Sequence, residues 1–286
     1  MMPEYVPHTT SVITLCPENT IHDALHLMRK NNMKHLVIVN DNIPVGMVTE
    51  RDIGIFLQND KTSRMLNRIN LHEVMSRNLF TVSKDQDELL IQCAIRMDAF
   101  QIGSIIIMDN EKLVGIITKS DLTKYFARSS AGVYQVKDYM NTKVITCRKS
   151  DSLSFALVML NRNKVARLVV TDNDGKPAGI ISYDGFLKNS EYFKPEKQLT
   201  RDYLLPKTFT KELLVGDLIG NELVTIGSED DLAKAARLMV EYKISGIPVI
   251  DENDNLEGVI STTDIIRAYH EAKVHAMLKR NDPHFA

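Results

Sequence analysis

Three hydroxyl–carboxylate pairs recur at one spacing in this chain: Thr49 with Asp52, Thr118 with Asp121, and Ser261 with Asp264. Each closes a phrase that opens on glycine: Gly46-Met-Val-Thr49-Glu-Arg-Asp52, Gly115-Ile-Ile-Thr118-Lys-Ser-Asp121 and Gly258-Val-Ile-Ser261-Thr-Thr-Asp264. A fourth copy, Gly179-Ile-Ile-Ser182-Tyr-Asp-Gly185, lacks the final Asp. A hydroxyl that ends an apolar run and precedes a helix start meets unpaired backbone N–H groups and the positive end of the helix dipole. It can cap that helix or donate to a phosphate oxygen. A carboxylate three positions on can accept from two vicinal hydroxyls, as the 2′- and 3′-OH of a ribose provide. The residue before each Asp (Arg51, Ser120, Thr263) offers a second phosphate contact, and Arg51 brings a fixed charge in a planar fork. The same spacing is close to that of a helix-capping box, so cap and ligand site both stay open from these residues alone.

The elements that must position these pairs repeat as well. A unit returning every ~60–80 residues is too long for the common solenoid periods and suits small modules that pack together. Before each glycine runs a short apolar stretch: Leu36–Val39, Ser104–Met108, Leu168–Val170 and Ile247–Ile250. Each is followed by an Asx- or Gly-rich turn, so each predicts a β-hairpin. Upstream lie helical patterns, marked by Ala24, Leu25 and Met28, by Ala94, Ile95 and Met97, by Ala156, Leu157 and Leu160, and by Ala235, Leu238 and Met239. Helix-start phrases precede them: Pro17–Thr20, Ser83–Gln86, Lys149–Asp151 and Ser228–Asp231. Short strands are expected before those, at Val12–Thr14, Leu79–Thr81, Val144–Thr146 and Leu223–Thr225. A second helix opens at each Thr/Ser-x-x-Asp phrase. The unit is therefore β-α-β-β-α, and the fold class is α/β (α+β).

This order and these phrases resemble the cystathionine β-synthase (CBS) domain, over residues 8–58, 72–128, 138–189 and 215–272, with a connecting segment at 190–212. The resemblance implies four CBS units paired into two Bateman modules, whose clefts bind adenosine-type nucleotides. It assigns ribose binding to Asp52, Asp121 and Asp264, and phosphate binding to Thr49, Arg51, Thr118, Ser120, Ser261 and Thr263. It places the adenine against Thr14 with Lys34 and His35, Thr81 with Gly103, Thr146 with Arg167, and Thr225 with Ser245, Gly246 and Pro248. The implied ligand is AMP, ADP or ATP. S-adenosylmethionine would use the same Asp, and sites with different neighbours can prefer different ligands. The resemblance also implies a homodimer, disc-shaped, and a regulated protein as partner. Val136-Lys-Asp138-Tyr-Met140 and Val215-Gly-Asp217-Leu-Ile219 look like the phrase that opens a CBS repeat, as does the Leu71–Met75 stretch; its methionine is expected in the core.

Copy three departs from the pattern. Gly185 stands where Asp is expected and Asp184 sits one residue early, which turns its side chain by about 100° on a helix. This site is expected to be empty, weak or differently bound, with Tyr183 and Phe186 filling the space. The formal charge of −2 gives no bulk positive field for nucleic acid, which leaves only local patches (Arg64, Arg68 and Arg77, or 188–201) for that class. No apolar run approaches the ~20 residues of a spanning helix, so no membrane insertion is expected. No secretory signal is seen at the N-terminus, and cytoplasmic localisation follows. Cys16, Cys93 and Cys147 lack metal or disulfide spacing and read as buried free thiols. His22 and His26 lie at i, i+4 without a third ligand in register, so exposed helix histidines are expected and no metal. With no nucleophile–base pair, P-loop or dinucleotide fingerprint, the expectation is a non-enzymatic sensor.

Overall fold

A computed structural model describes residues 8–60, 62, 64–188, 214–220 and 222–281. It forms four three-stranded sheets, one per repeat. In repeat one, β1 (Thr14–Leu15) leads through α1 (Ile21–Lys30) to the hairpin β2 (His35–Asn40) and β3 (Ile43–Thr49), and α2 (Glu50–Asn59) follows. Repeat two has β4 (Thr81–Ser83), α3 (Leu89–Ala99), β5 (Ser104–Asp109), β6 (Lys112–Thr118) and α4 (Lys119–Ser129). Repeat three has β7 (Thr146–Arg148), α5 (Leu153–Arg162), β8 (Arg167–Thr171), β9 (Pro177–Ser182) and α6 (Tyr183–Lys188). Repeat four has β10 (Ile226–Gly227), α7 (Leu232–Glu241), β11 (Gly246–Ile250), β12 (Leu256–Ser261) and α8 (Thr262–Asn281). In every sheet the first strand pairs parallel to the second and the second antiparallel to the third. All four hairpins carry a register shift near the turn, at Ile38/Val39, Ile107/Met108, Val170/Thr171 and Val249/Ile250.

Three local expectations need correction. The first strand of each repeat begins at its Thr or just after it, not two residues before, because parallel pairing starts there: Thr14 opposite Val37, Thr81 opposite Ile106, Thr146 opposite Val169. Thr225 lies just before β10. Ser83 belongs to β4, and α3 opens instead behind Glu88, whose backbone is left-handed at φ 52°. Thr20 and Asp231 do cap α1 and α7, while α5 is capped by Ser152, one residue beyond the expected phrase. Cys93 and Cys147 are buried free thiols, pushed up to about 12 by burial, whereas Cys16 is exposed, next to the turn at the end of β1. The connecting segment at 190–212 lies outside the described residues.

The chain divides into two compact units, each joining repeats that are not neighbours in sequence: residues 13–79 with 144–223, and 1–12, 80–143 and 224–286. In the unit of repeats two and four, α3 and α4 pack against α7 and α8 around one apolar core that includes Met97, Phe126, Ile247 and Ile265. Tyr125 meets Tyr269 edge-on at 5.7 Å, and His270 Nε2 lies 3.0 Å from Asp98 Oδ2. In the unit of repeats one and three, α2 packs against α6. Tyr183 is buried there against Gly54, its hydroxyl donating to Asn161 Oδ1, while Asn161 donates to Gln58. Arg29 Nη2 donates to the Leu187 carbonyl at 2.8 Å, at the C-terminal end of α6, where a cation is favoured by the helix dipole.

The glycine of each repeated phrase is a contact point for the opening segment of another repeat. A Cβ on Gly46 would sit 2.4 Å from Met75 Sδ, on Gly258 2.9 Å from Met140 Sδ, and on Gly179 2.9 Å from Ile219 Cβ. On Gly115 it would sit 2.9 Å from His8 Cδ2 and 3.2 Å from the Thr9 carbonyl. Bridges pair Met47 with Ser76, Ile116 with Thr9, and Val259 with Asn141. The methionines of the opening phrases therefore pack on a partner repeat rather than in their own.

Candidate functional site

The repeated hydroxyl–carboxylate pairs form complete caps. Thr49 N and Oγ1 donate to Asp52 Oδ2 at 2.9 and 2.6 Å, and Asp52 N donates back to Thr49 Oγ1 at 3.1 Å. Thr118 and Asp121 repeat this at 3.0, 2.6 and 3.3 Å. Ser261 N and Oγ donate to Asp264 Oδ2 at 2.9 and 2.7 Å. Thr20 and Asp23 make the same box on α1, so the cap geometry is not specific to a ligand site. What distinguishes the three later boxes is their place at the end of a hairpin. The cap residue pairs across the sheet with the residue that opens the hairpin: Thr49 with His35, Thr118 with Ser104, Ser261 with Gly246. The residue before that, Lys34, Gly103 or Ser245, accepts the first helical N–H at 3.4, 3.0 and 3.1 Å.

A helix start has four backbone N–H groups without helical partners. In these repeats the cap N–H goes to the Asp, the first helical N–H to the strand and the third, in α2 and α4, to the cap hydroxyl. Among the described residues, the second, belonging to Arg51, Ser120 or Thr263, has no such partner. Oδ2 of each Asp serves the cap, and at Asp264 Oδ1 is engaged as well, by Arg267 Nη2. The box thus holds each carboxylate in place at the start of its helix.

The three carboxylates differ in their surroundings. At Asp52 burial outweighs the hydrogen bonds from Thr49 and pushes the carboxyl above its ordinary value, whereas at the less buried Asp23 the Thr20 bonds win and pull it down. The native state thus binds a proton at Asp52 more tightly than the unfolded chain, so Asp52 favours folding less as pH rises through that window. Affinity for a diol runs the opposite way, since it needs the carboxylate. Nucleotide binding at repeat one is expected to weaken on acidification from a higher pH than an ordinary Asp would give, and Asp52→Asn to flatten that profile; titrations of both proteins between pH 7.5 and pH 4.5 check it. Asp121 Oδ1 has Lys124 Nζ at 3.9 Å. Asp264 is buried, and its Oδ1 accepts from Arg267 Nη2 at 3.1 Å.

Arg51 does not fold back over its own helix start: its Nη2 lies 3.5 Å from the Lys164 carbonyl of repeat three. Ser120 is exposed, and Thr263 accepts from Lys119 Nζ at 2.8 Å. Of the residues assigned to the base, Thr81 and Thr146 are exposed, Pro248 is buried, and Thr14, Lys34, His35, Gly103, Arg167, Thr225 and Ser245 are half-buried. Sequence reasoning missed Lys119 and Arg267. A basic residue one position after the cap hydroxyl, or three after the Asp, was the available signal.

In repeat three, Tyr183 and Phe186 are buried. Tyr183 packs on α2 of repeat one, drawn there by the absence of a side chain at Gly54, and Phe186 packs in the repeat-three core. The side chain of Asp184 lies outside the described residues. Among the described residues, a Cβ on Gly185 would meet only Ile181 Cγ1, at 3.8 Å. Gly185→Ala is therefore expected to stabilise the protein by about 0.5–1 kcal/mol through helix propensity and to leave nucleotide binding unchanged; urea unfolding and a binding titration check both.

Comparison with known proteins agrees with this arrangement. The CBS domain family profile matches residues 4–57, 71–128, 136–192 and 215–271. The uncharacterized protein MJ1404 of Methanocaldococcus jannaschii is 29% identical over 276 residues, covering 95% of this chain; the chain spans 62% of that protein's length. The uncharacterized protein MJ1225 of the same organism is 26% identical over 280 residues, with 92% of this chain and 97% of that one covered. The crystal structure of MJ1225 superposes with a TM-score of 0.77 at 23% identity, covering 91% and 96% of the two chains. A conserved protein from Pyrococcus horikoshii gives 0.63 at 20% identity, covering 92% and 97%. With the profile matched four times along its length, this chain belongs to the CBS domain family as a protein of four tandem repeats.

Proposed function

We propose that the protein is a non-catalytic sensor of adenosyl nucleotides (AMP, ADP or ATP) whose packing changes with ligand and is read by a regulated protein. The observation that carries this reading is the threefold recurrence of one local arrangement: a carboxylate fixed by a helix cap, the helix start beside it, and an adjoining hairpin opening. A ribose diol and a phosphate are the groups that such a pair recognises together. The carboxylates stand at equivalent places in separate repeats instead of converging on a base, which suits binding and not acid–base chemistry. The partner reading follows from linkage: a ligand that favours one packing shifts whatever binds that packing. A homodimer is part of the proposal.

The test has two arms. Thermal unfolding with AMP, ADP, ATP and S-adenosylmethionine should show a concentration-dependent rise in Tm for at least one adenosine phosphate. Proteins captured on the immobilised chain should detach when that nucleotide is added. A Tm unmoved by all four ligands contradicts the sensor reading, and a rise with S-adenosylmethionine alone replaces the nucleotide with that ligand.

A further inference from the structure

We propose that Arg51 is a latch between repeats one and three, and that an anionic adenosine ligand at repeat one releases it by drawing the guanidinium from repeat three onto phosphate. The inference rests on the nucleotide reading above and names the contact through which ligand alters packing. Arg51 is the second residue of α2 and precedes Asp52, yet its Nη2 lies 3.5 Å from the Lys164 carbonyl, in the turn between α5 and β8 of repeat three. Both repeats belong to one compact unit. The guanidinium also stands beside the Tyr183 hydroxyl. Burial pushes that phenol up, while the charge of Arg51 and its hydrogen bond to the phenol oxygen pull the other way. Tyr183 is the first residue of α6, a place held by Glu50, Lys119 and Thr262 in the other repeats. Its ring is admitted by Gly54 of α2, where a Cβ would lie 2.6 Å from Cδ1, and its hydroxyl donates to Asn161 Oδ1. The repeat that lacks the Asp thus supplies two neutral acceptors to the arginine of repeat one.

These acceptors hold the guanidinium weakly. A contact at 3.5 Å is long for an N–H···O hydrogen bond, and neither the carbonyl nor the phenol is charged. A phosphate offers the planar fork a bidentate, charge-assisted pair that is stronger than either. The charge of Arg51 is also felt at Asp52, where it opposes the effect of burial, so the guanidinium is close to the carboxylate assigned to the ribose. A ligand without phosphate gives Arg51 no reason to leave repeat three. Ser120 and Thr263 stand at the equivalent place in repeats two and four, and neither carries a charge, so the device belongs to repeat one. By linkage, a change that loosens Arg51 from repeat three tightens its hold on phosphate.

The test uses the full chain carrying Asp121→Ala and Asp264→Ala, which leaves repeat one as the Asp-bearing site, titrated with AMP and adenosine. Tyr183→Phe keeps the ring against Gly54 and removes the acceptor. It should tighten AMP by about three- to tenfold and leave adenosine unchanged. Arg51→Met should weaken AMP and abolish the effect of Tyr183→Phe when the two are combined. An AMP affinity that Tyr183→Phe leaves unmoved or lowers, a gain shared equally by adenosine, or a gain that persists with Arg51→Met overturns the latch and leaves the sensor reading standing. The same holds if the parent double variant binds neither ligand while the wild-type chain binds AMP. A wild-type chain that binds no adenosine phosphate overturns the sensor reading, and the latch with it. Melting curves check that each variant folds; where the double variant does not, Tyr183→Phe in the otherwise wild-type chain must tighten one AMP site and no adenosine site.

Discussion

Gly54→Ala is expected to destabilise the unit of repeats one and three by about 1–3 kcal/mol, the usual cost of overpacking a tight contact. The added Cβ would lie 2.6 Å from Tyr183 Cδ1 and 2.9 Å from Cε1. The ring has little freedom to yield. It is buried between α2 and α6, and its hydroxyl is tied to Asn161, which is tied to Gln58. Alanine would gain about 1 kcal/mol of helix propensity over glycine, but that gain is smaller than the overlap penalty where atoms approach below 3 Å. Tyr183→Leu in the same protein should recover part of the loss, with a coupling energy of about 0.5–3 kcal/mol in a double-mutant cycle read from urea unfolding midpoints. Additive effects of the two substitutions would mean that the α2–α6 contact is not where the strain arises.

Asp52→Ala, Asp121→Ala and Asp264→Ala are each expected to lower nucleotide affinity by about 1–3 kcal/mol, the value of the hydrogen bonds lost to a ribose. The caps add a second consequence that the spacing alone did not foretell. Each Asp also accepts the N–H and hydroxyl of its cap residue, so each change should cost about 1 kcal/mol of stability without unfolding the chain. Asp264→Ala should cost the most stability, because it is buried and engages Arg267 as well as Ser261. The Asn variants keep an acceptor for the cap and should separate the two effects. Calorimetric titration and thermal unfolding on the same samples check both numbers; unchanged affinity in all three variants would remove the ribose assignment and leave the phrases as helix caps.

The repeat was legible because its signals are local. Hairpin strands rich in β-branched residues, an Asx turn between them and a cap hydroxyl at a helix start all lie within a few residues of one another, and β2, β5, β8 and β11 fall within two residues of the expected runs. The first strands were harder: two or three paired residues carry no periodicity, and their limits are set by parallel pairing across a helix. Contacts between repeats were not legible at all. Nothing in Val136-Lys-Asp138-Tyr-Met140 announces that Met140 packs on Gly258, or that Tyr139 reaches Arg267 and so Asp264. Tyr183 was read from its neighbour Gly185, whereas its placement is decided by Gly54, in another repeat. The ionic surroundings of the three carboxylates have the same origin. Lys119 of repeat two reaches Thr263 of repeat four, and no spacing within one repeat encodes that.

The central claim is tested most directly by isothermal titration calorimetry of the purified, nucleotide-free protein with AMP, ADP, ATP and S-adenosylmethionine in parallel. Micromolar binding of an adenosine phosphate, with between one and three sites per chain to match the Asp-bearing repeats, is the predicted result. No heat with any of the four would contradict it and leave the capped helix starts with a structural role alone.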